Sequence, residues 1–239
     1  MGGGGFSMEP DNPALDEFVL RQTGVDRPRV CFLPTASGDS ERYVALFYRA
    51  FSKLDCRPSD LALFERTSAD LAAHVLSQDV VYVGGGNTAN LLALWRTHGL
   101  DLILRNAWER GVLMCGLSAG MNCWFQESVT DSFGEGLAPL HDGLGLLAGS
   151  ACPHFDGEPQ RRPTYHRLVA AGQLTGGFAA DDGAALVFEG SELVEVVSSR
   201  PSASGYRVES DGAGAAAEKR LPARLLVARA RGPAVARRL

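Results

Sequence analysis

Ser118 stands in Gly116-Leu117-Ser118-Ala119-Gly120, directly after the apolar run Val112–Cys115. That run has the length of one buried strand, and Met121–Phe125 reads as the first turns of a helix. A serine on so sharp a strand-to-helix turn presents its hydroxyl at the carboxyl edge of a sheet, beside free helix N–H groups. A side chain at Gly116 or Gly120 would crowd the turn or the neighbouring strand. The chemistry such a serine can do is nucleophilic attack on an acyl carbon. The competing reading is a buried structural turn.

A nucleophilic serine needs a base, a group that orients the base, and donors for the oxyanion. The chain has five histidines: His74, His98, His141, His154 and His166. His74 and His98 fall on or just after predicted helices and read as surface residues, while His141 lies in a glycine-rich loop. His154 differs, because Leu144–Cys152 leads into Pro153-His154-Phe155 at a predicted strand's carboxyl end. In a parallel sheet, such ends gather along one edge with Ser118. His154 is therefore the candidate base and His166 the second choice. No histidine follows His166, whereas an α/β-hydrolase places its histidine last, after the acid. The Gly-x-Ser-x-Gly turn belongs to another fold.

A second turn, Gly84-Gly85-Gly86-Asn87-Thr88, follows the apolar run Asp79–Val83 and precedes a predicted helix. Backbone N–H groups in such a turn can face an anion or a developing oxyanion. Gly84-x-Gly86-x-x-Ala89 also meets the loose dinucleotide fingerprint, although no acid ends a following strand about 20 residues on. Gly2–Gly5 forms a similar turn. It reads as the loop after a first strand, yet only Met1 precedes it.

These residues need a scaffold that brings strand ends together. Arg29–Pro34, Leu61–Phe64 and Asp79–Val83 read as strands, alternating with helices over Ser40–Leu54, Ala69–Leu76, Asn87–Trp95 and Leu100–Arg110. The Ser40–Leu54 helix carries Tyr43, Leu46, Phe47, Ala50 and Phe51 on one face. The βαβα rhythm implies a doubly wound, mostly parallel α/β sheet. A helix around Thr164–Ala171 follows. Ala184–Glu189, Glu192–Ser198 and Tyr206–Glu209 then predict a C-terminal antiparallel meander, turning first at Gly190-Ser191.

With 239 residues, 45% hydrophobic and 21% charged, the chain fits one domain over residues 1–239. The net charge of −5 argues against a nucleic-acid partner. Residues 219–239 carry seven basic residues and no acid, and read as a final strand with a solvated basic tail. Five scattered cysteines without a C-x-x-C pair speak against a disulfide framework or a zinc site and point to a reducing cytoplasm. Cys31 and Cys115 sit in strand-like runs as small hydrophobes. No apolar run is long enough to span a membrane and no secretory signal is visible, so neither a membrane nor a metal is expected.

Val83-Gly84-Gly85-Gly86-Asn87-Thr88, Gly116-Leu117-Ser118-Ala119-Gly120 and Pro153-His154-Phe155 together resemble, in order and spacing, the peptidase E family of serine peptidases. Aspartyl dipeptidases and the related cyanophycinases belong to that group. Pro34-Thr35-Ala36-Ser37 and Ala184–Gly190 are similar too, so the likeness covers roughly residues 2–200. The resemblance implies a flavodoxin-like fold akin to class I glutamine amidotransferases, with serine in place of their cysteine. It implies Ser118 as nucleophile, His154 as base, and an oxyanion hole from the N–H groups of Ala119 and Gly86. Gly85 and Asn87 complete the candidate oxyanion and substrate-binding set.

Relatives commonly carry a glutamate as the third triad member; here Asp182 of Asp181-Asp182-Gly183-Ala184 falls on its position, one methylene shorter. An aspartate can still orient an imidazole, and Asp131 is the alternative. Arginines near the histidine helix would bind a substrate carboxylate in the aspartyl enzymes. Arg161, Arg162 and Arg167 lie in that neighbourhood with different spacing, so strict Asp specificity does not follow. The expectation is a cofactor-independent cytoplasmic serine peptidase acting on short peptides, dipeptidase-like, as monomer or homodimer. The alternatives are a catalytically silent relative that binds a small peptide or metabolite, and a nucleotide-binding module.

Overall fold

Val30–Leu33 and Val80–Val83, each apolar throughout, lie side by side in a parallel sheet, and no residue of either run reaches solvent. A strand covered on both faces cannot alternate polar and apolar residues, which is why both runs are continuous. The computed structural model describes residues 1–66 and 68–227. A one-turn helix α1 (Gly5–Met8) and α2 (Ala14–Gln22) lead into β1 (Arg29–Leu33), α3 (Glu41–Phe51), β2 (Arg57–Asp60), α4 (Leu71–Leu76) and β3 (Val80–Val83). Then come α5 (Thr88–His98), α6 (Leu100–Glu109) and β4 (Leu113–Gly116). The strands run in the order β2-β1-β3-β4, all parallel, and the order reverses between β1 and β3. In such sheets the crevice for ligands opens at the carboxyl ends beside the reversal.

Local signals set the helix ends. Asp70 caps α4 by accepting the Ala73 N–H at 2.9 Å, and Asn87 caps α5 through the Asn90 N–H at 2.8 Å. Gly99 closes α5 in the left-handed conformation, as helix-ending glycines do. Phe47 and Phe51 of the apolar α3 face are fully buried, and Phe6 packs edge-on against Phe32, Phe47, Phe51 and Tyr82. The strand expected at Leu61–Phe64 is instead β2, which ends at Asp60; only the Leu61 N–H, bonded to Phe32 O at 3.0 Å, extends it.

After β4 the chain changes sheets. The helix α7 (Ala119–Asn122) is one turn long, shorter than the helix expected over Met121–Phe125. Phe125 already opens β5 (Phe125–Thr130), followed by β6 (Ala138–Leu140), β7 (Leu147–Cys152), α8 (Arg161–Ala170) and β8 (Gly177–Ala180). Then follow β9 (Ala184–Glu189), β10 (Glu192–Ser198), β11 (Gly205–Ser210), β12 (Ala216–Leu221) and β13 (Arg224–Leu225). A mixed six-stranded sheet has the order β12-β11-β8-β7-β5-β6, with β5, β7 and β8 parallel and the other three strands antiparallel to their neighbours.

The expected meander exists only in part. β9 and β10 form an antiparallel hairpin across Gly190-Ser191, with β13 beside β10. β11 leaves it to pair with β8. Gly205 explains part of the departure, because a Cβ there would stand 2.6 Å from Leu186 and 3.2 Å from Val196 of the hairpin it crosses. The basic segment supplies the end of β12 and all of β13; residues 228–239 lie outside the described residues.

Candidate active site

Three glycine-dependent turns converge around Ser118. Ser118 itself has φ 55° and ψ −116°, a conformation that side chains other than glycine's adopt only under strain. Both glycines of its motif are required by contact. A Cβ on Gly116 would overlap the Gly120 carbonyl inside the turn, and one on Gly120 would overlap the Val83 carbonyl of β3. The Gly84–Gly86 turn abuts from the β3 side, where a Cβ on Gly85 would stand 3.2 Å from the Ser118 Cβ. Gly86 has φ 137°, and a Cβ there would overlap Ala36 O. Among the described residues, neither the Gly86 nor the Ala119 N–H is taken by another group of the protein.

Gly85 and Asn87 are already engaged. The Gly85 N–H donates to the Tyr43 hydroxyl at 3.2 Å. The Asn87 N–H donates to Ala36 O at 2.8 Å, its side-chain oxygen caps α5, and its Nδ2 donates to Ser132 O at 3.1 Å. Asn87 thus shapes the turn through both polar atoms of its side chain.

His154 follows β7 and Asp182 follows β8, so both come from the mixed sheet while Ser118 comes from the parallel one. The expected gathering of the Ser118 and His154 strand ends along one parallel sheet edge is therefore not what joins them. The amino-terminal segment does. Met1 O accepts the Ser118 N–H at 3.3 Å, and two residues on, Gly3 O accepts the Gly183 N–H at 3.0 Å. A Cβ on Gly3 would overlap Asp182 Oδ1 and stand 3.0 Å from His154 Cε1. Two residues of chain span at most about 7 Å.

His154 Nδ1 and Asp182 Oδ1 are 2.6 Å apart, with the two side chains only 12% and 14% exposed. Burial works to raise the Asp182 pKa. The His154 hydrogen bond and the charges of His154, Arg200 and Arg161 outweigh it and hold the carboxyl below its ordinary value. Its backbone is pinned as well: Asp156 accepts the Asp182 N–H at 2.7 Å, and Arg200 donates to the Asp182 carbonyl. Gly157 makes room for the carboxylate, since a Cβ there would overlap Asp182 Oδ2. His154 has φ 53°, a second strained residue at the site.

The remaining candidates lie elsewhere. Asp131 is 62% exposed and 3.9 Å from Arg161, not on His154. His141 pairs with Glu127 and His166 with Glu218, both at 2.8 Å. Arg161 is buried and bonded to Glu158 and Val129 O, at 2.7 and 3.1 Å. Arg162 lies over the adjoining rings of Phe155 and Tyr206, 3.2 Å from Glu218. Sequence reasoning missed Gly3, Gly157, Asp156 and Arg200. Only Gly3 carried a signal, as part of a glycine run without an assigned partner.

A serine on a strained turn, joined through Met1–Gly3 to the surroundings of a histidine–carboxylate pair in a mixed α/β fold, fits the class of serine-type hydrolases. The comparisons narrow it: a sequence model of Peptidase family S51 matches residues 1–196, and the chain belongs to that family. The protein is a peptidase E-like serine peptidase. An uncharacterized peptidase, YgaJ of Bacillus subtilis, is 58% identical over 208 residues, covering 87% of this chain and 90% of its own. Peptidase E of Citrobacter koseri is 35% identical over 116 residues, 45% of this chain and 51% of that protein. A crystal structure of a peptidase from an acI-B1 Actinobacterium shares the fold with a TM-score of 0.68 at 18% identity, over 93% of this chain and 92% of that one. A peptidase E protein from Listeria monocytogenes shares it with a TM-score of 0.52 at 19% identity, over 87% and 95%.

Proposed function

We propose that the protein hydrolyses short peptides through a Ser118–His154–Asp182 triad and an acyl-enzyme, as a cytoplasmic dipeptidase-like enzyme. The observation that carries this reading is the 2.6 Å His154–Asp182 pair, tied through Met1–Gly3 to the strained Ser118 turn. With Nδ1 held by the carboxylate, Nε2 is the nitrogen left to take the Ser118 proton. Attack on the scissile carbonyl creates an oxyanion, for which the untaken N–H groups of Ala119 and Gly86 are the donors. The imidazolium then protonates the leaving amine, and water, deprotonated by the same nitrogen, releases the acid product. Asp182 stabilises the imidazolium in both steps.

Arg161 and Arg162 are each paired with carboxylates of the protein itself. That favours a peptidase without a strict requirement for an acidic residue. A fluorophosphonate probe tests the mechanism. It should label Ser118, label nothing in Ser118→Ala, and react about 10²–10⁴-fold more slowly with His154→Ala. A folded wild-type protein that stays unlabelled would instead support a silent, ligand-binding relative. A dipeptide library that includes Asp-Xaa members then reads the substrate class.

A further inference from the structure

We propose that Tyr43 is a positioning residue for the reaction: its hydroxyl holds the Gly84–Gly86 turn so that the Gly86 N–H stays aimed at the oxyanion. This role rests on the Ser118 mechanism, whose oxyanion donors are Ala119 and Gly86. Three consecutive glycines have no side chain to fix their peptide planes, and each reaches several orientations at little cost. Hydrogen bonds to the turn must select one of them.

The donors of the turn can be followed one by one. The Gly84 N–H donates to Leu33 O at 3.1 Å, continuing the pairing of β1 with β3, and beyond the glycines the Asn87 N–H donates to Ala36 O at 2.8 Å. Between these two anchors the Gly86 N–H is untaken. The Gly85 N–H donates to the Tyr43 hydroxyl at 3.2 Å. Among the described residues this is the only side-chain hydrogen bond to the three glycines, and it falls on the residue directly before the free donor. The peptide groups that carry the Gly85 and Gly86 N–H share the Gly85 Cα, so a rotation that moves one moves the other.

Tyr43 is itself held in place. Its ring centroid lies 5.1 Å from that of Phe32 and 5.5 Å from that of the buried Phe6. A Cβ on Gly84 would stand 2.9 Å from Tyr43 Cε1, so the ring lies directly against the turn it bonds. Burial pushes the phenol pKa up, against the lowering effect of bonds with the Ser7 side chain and the Gly85 N–H. The hydroxyl therefore stays neutral through the range in which a histidine base titrates, and its oxygen can accept the Gly85 N–H throughout. Without that oxygen the Gly85 N–H would face an apolar ring edge unpaired, and the turn would reorient toward water.

Tyr43→Phe keeps the ring and removes only the hydroxyl, so its melting temperature should fall by a few degrees at most. Fluorophosphonate labelling should saturate at a maximal rate about 10- to 100-fold below wild type, short of the loss from deleting an oxyanion donor outright, with the half-saturating probe concentration little changed. The midpoint of its pH profile, which reads the base, should not move. Tyr48→Phe removes from the same helix a hydroxyl bonded to Asp60 at 2.8 Å, and should label at the wild-type rate. Amide exchange gives a second readout: in wild type the Gly85 amide should exchange about tenfold or more slowly than the Gly86 amide, and Tyr43→Phe should abolish the difference. Labelling of Tyr43→Phe at the wild-type rate, or with a shifted midpoint, overturns the positioning role. So does a wild-type Gly85 amide that exchanges as fast as Gly86, a result that decides even if Tyr43→Phe does not fold. Either outcome in a wild-type protein that labels leaves the serine mechanism standing, whereas a folded wild type that never labels defeats that mechanism and the role of Tyr43 with it.

Discussion

Gly157→Ala perturbs the Asp182 carboxylate without changing any residue of the proposed triad. A Cβ at position 157 would overlap Asp182 Oδ2 and stand 2.9 Å from its Cγ. Gly157 is not in the left-handed region, so alanine meets no backbone strain, and the carboxylate must swing away. The 2.6 Å bond to His154 is then lost or lengthened. A carboxylate and an imidazolium about 4 Å apart at an effective dielectric near 20 attract by about 4 kcal/mol. Losing half to all of that slows formation of the imidazolium by roughly 30- to 1,000-fold. Overpacking of this size also costs about 1–3 kcal/mol of stability. The assay is the rate of fluorophosphonate labelling, with thermal melts to confirm folding. Asp182→Asn should be slowed at least as much, and adding Gly157→Ala to it should change the rate little, because both act on one interaction. Labelling of Gly157→Ala at the wild-type rate, or losses that multiply in the double variant, would refute the placement.

Two further outcomes follow from strain and burial. Ser118→Gly should raise stability by roughly 1 kcal/mol or more while abolishing labelling, because glycine tolerates φ 55° at little cost; urea unfolding against wild type and Ser118→Ala checks it. Asp16 is 1% exposed and bonded to the Tyr82 hydroxyl, and burial pushes its pKa up to about 7, above the lowering effect of Tyr82 and the Phe6 backbone. A raised acid binds its proton more tightly folded than unfolded, so this contribution is present below about pH 4 and fades as pH rises through 7. Asp16→Asn should therefore gain on wild type by up to about 4 kcal/mol between pH 4 and 8 in urea melts, an upper bound from the shift alone. A difference curve that stays flat over that interval would count against the shift.

The fold was legible where burial writes itself into a run of residues. Val80–Val83 and Val30–Leu33 read as strands because they are apolar and short, and α3 shows its buried face every three or four residues. β8 (Gly177–Ala180) and β2 (Arg57–Asp60) were not legible, because Gly-Phe-Ala-Ala and Arg-Pro-Ser-Asp carry little strand propensity. Their neighbours in the sheet make them strands. Ser118 could be read from its turn, since the glycines on either side are demanded by contacts within a few residues or with the next strand. The pairing of His154 with Asp182 rather than Asp131 could not be read from residue types, because both aspartates are plausible partners until the strands are placed. It is set by the parallel pairing of β7 with β8, which brings the ends of those strands together.

The assembly of the site from two sheets has a mechanical consequence. In a single parallel sheet, the spacing between strand ends is fixed by the hydrogen-bonded ladder, about 4.8 Å per strand. Here Ser118 rides on β4 and His154 on β7, and the backbone link identified between their surroundings is Met1–Gly3, with Met1 O on Ser118 and Gly3 O on Gly183. Glycine serves there because the segment must pass against Asp182 and His154 with no room for a side chain at Gly3. Gly2 and Gly3 leave the segment no side-chain packing beyond that of the buried Met1. Its position must be imposed from its two ends, by α1 with the buried Phe6 on one side and by Met1, buried and bonded to Gly116 O and the Ser118 N–H, on the other. The placement of Ser118 relative to His154 is therefore a property of how firmly that short segment is held, more than of either sheet alone.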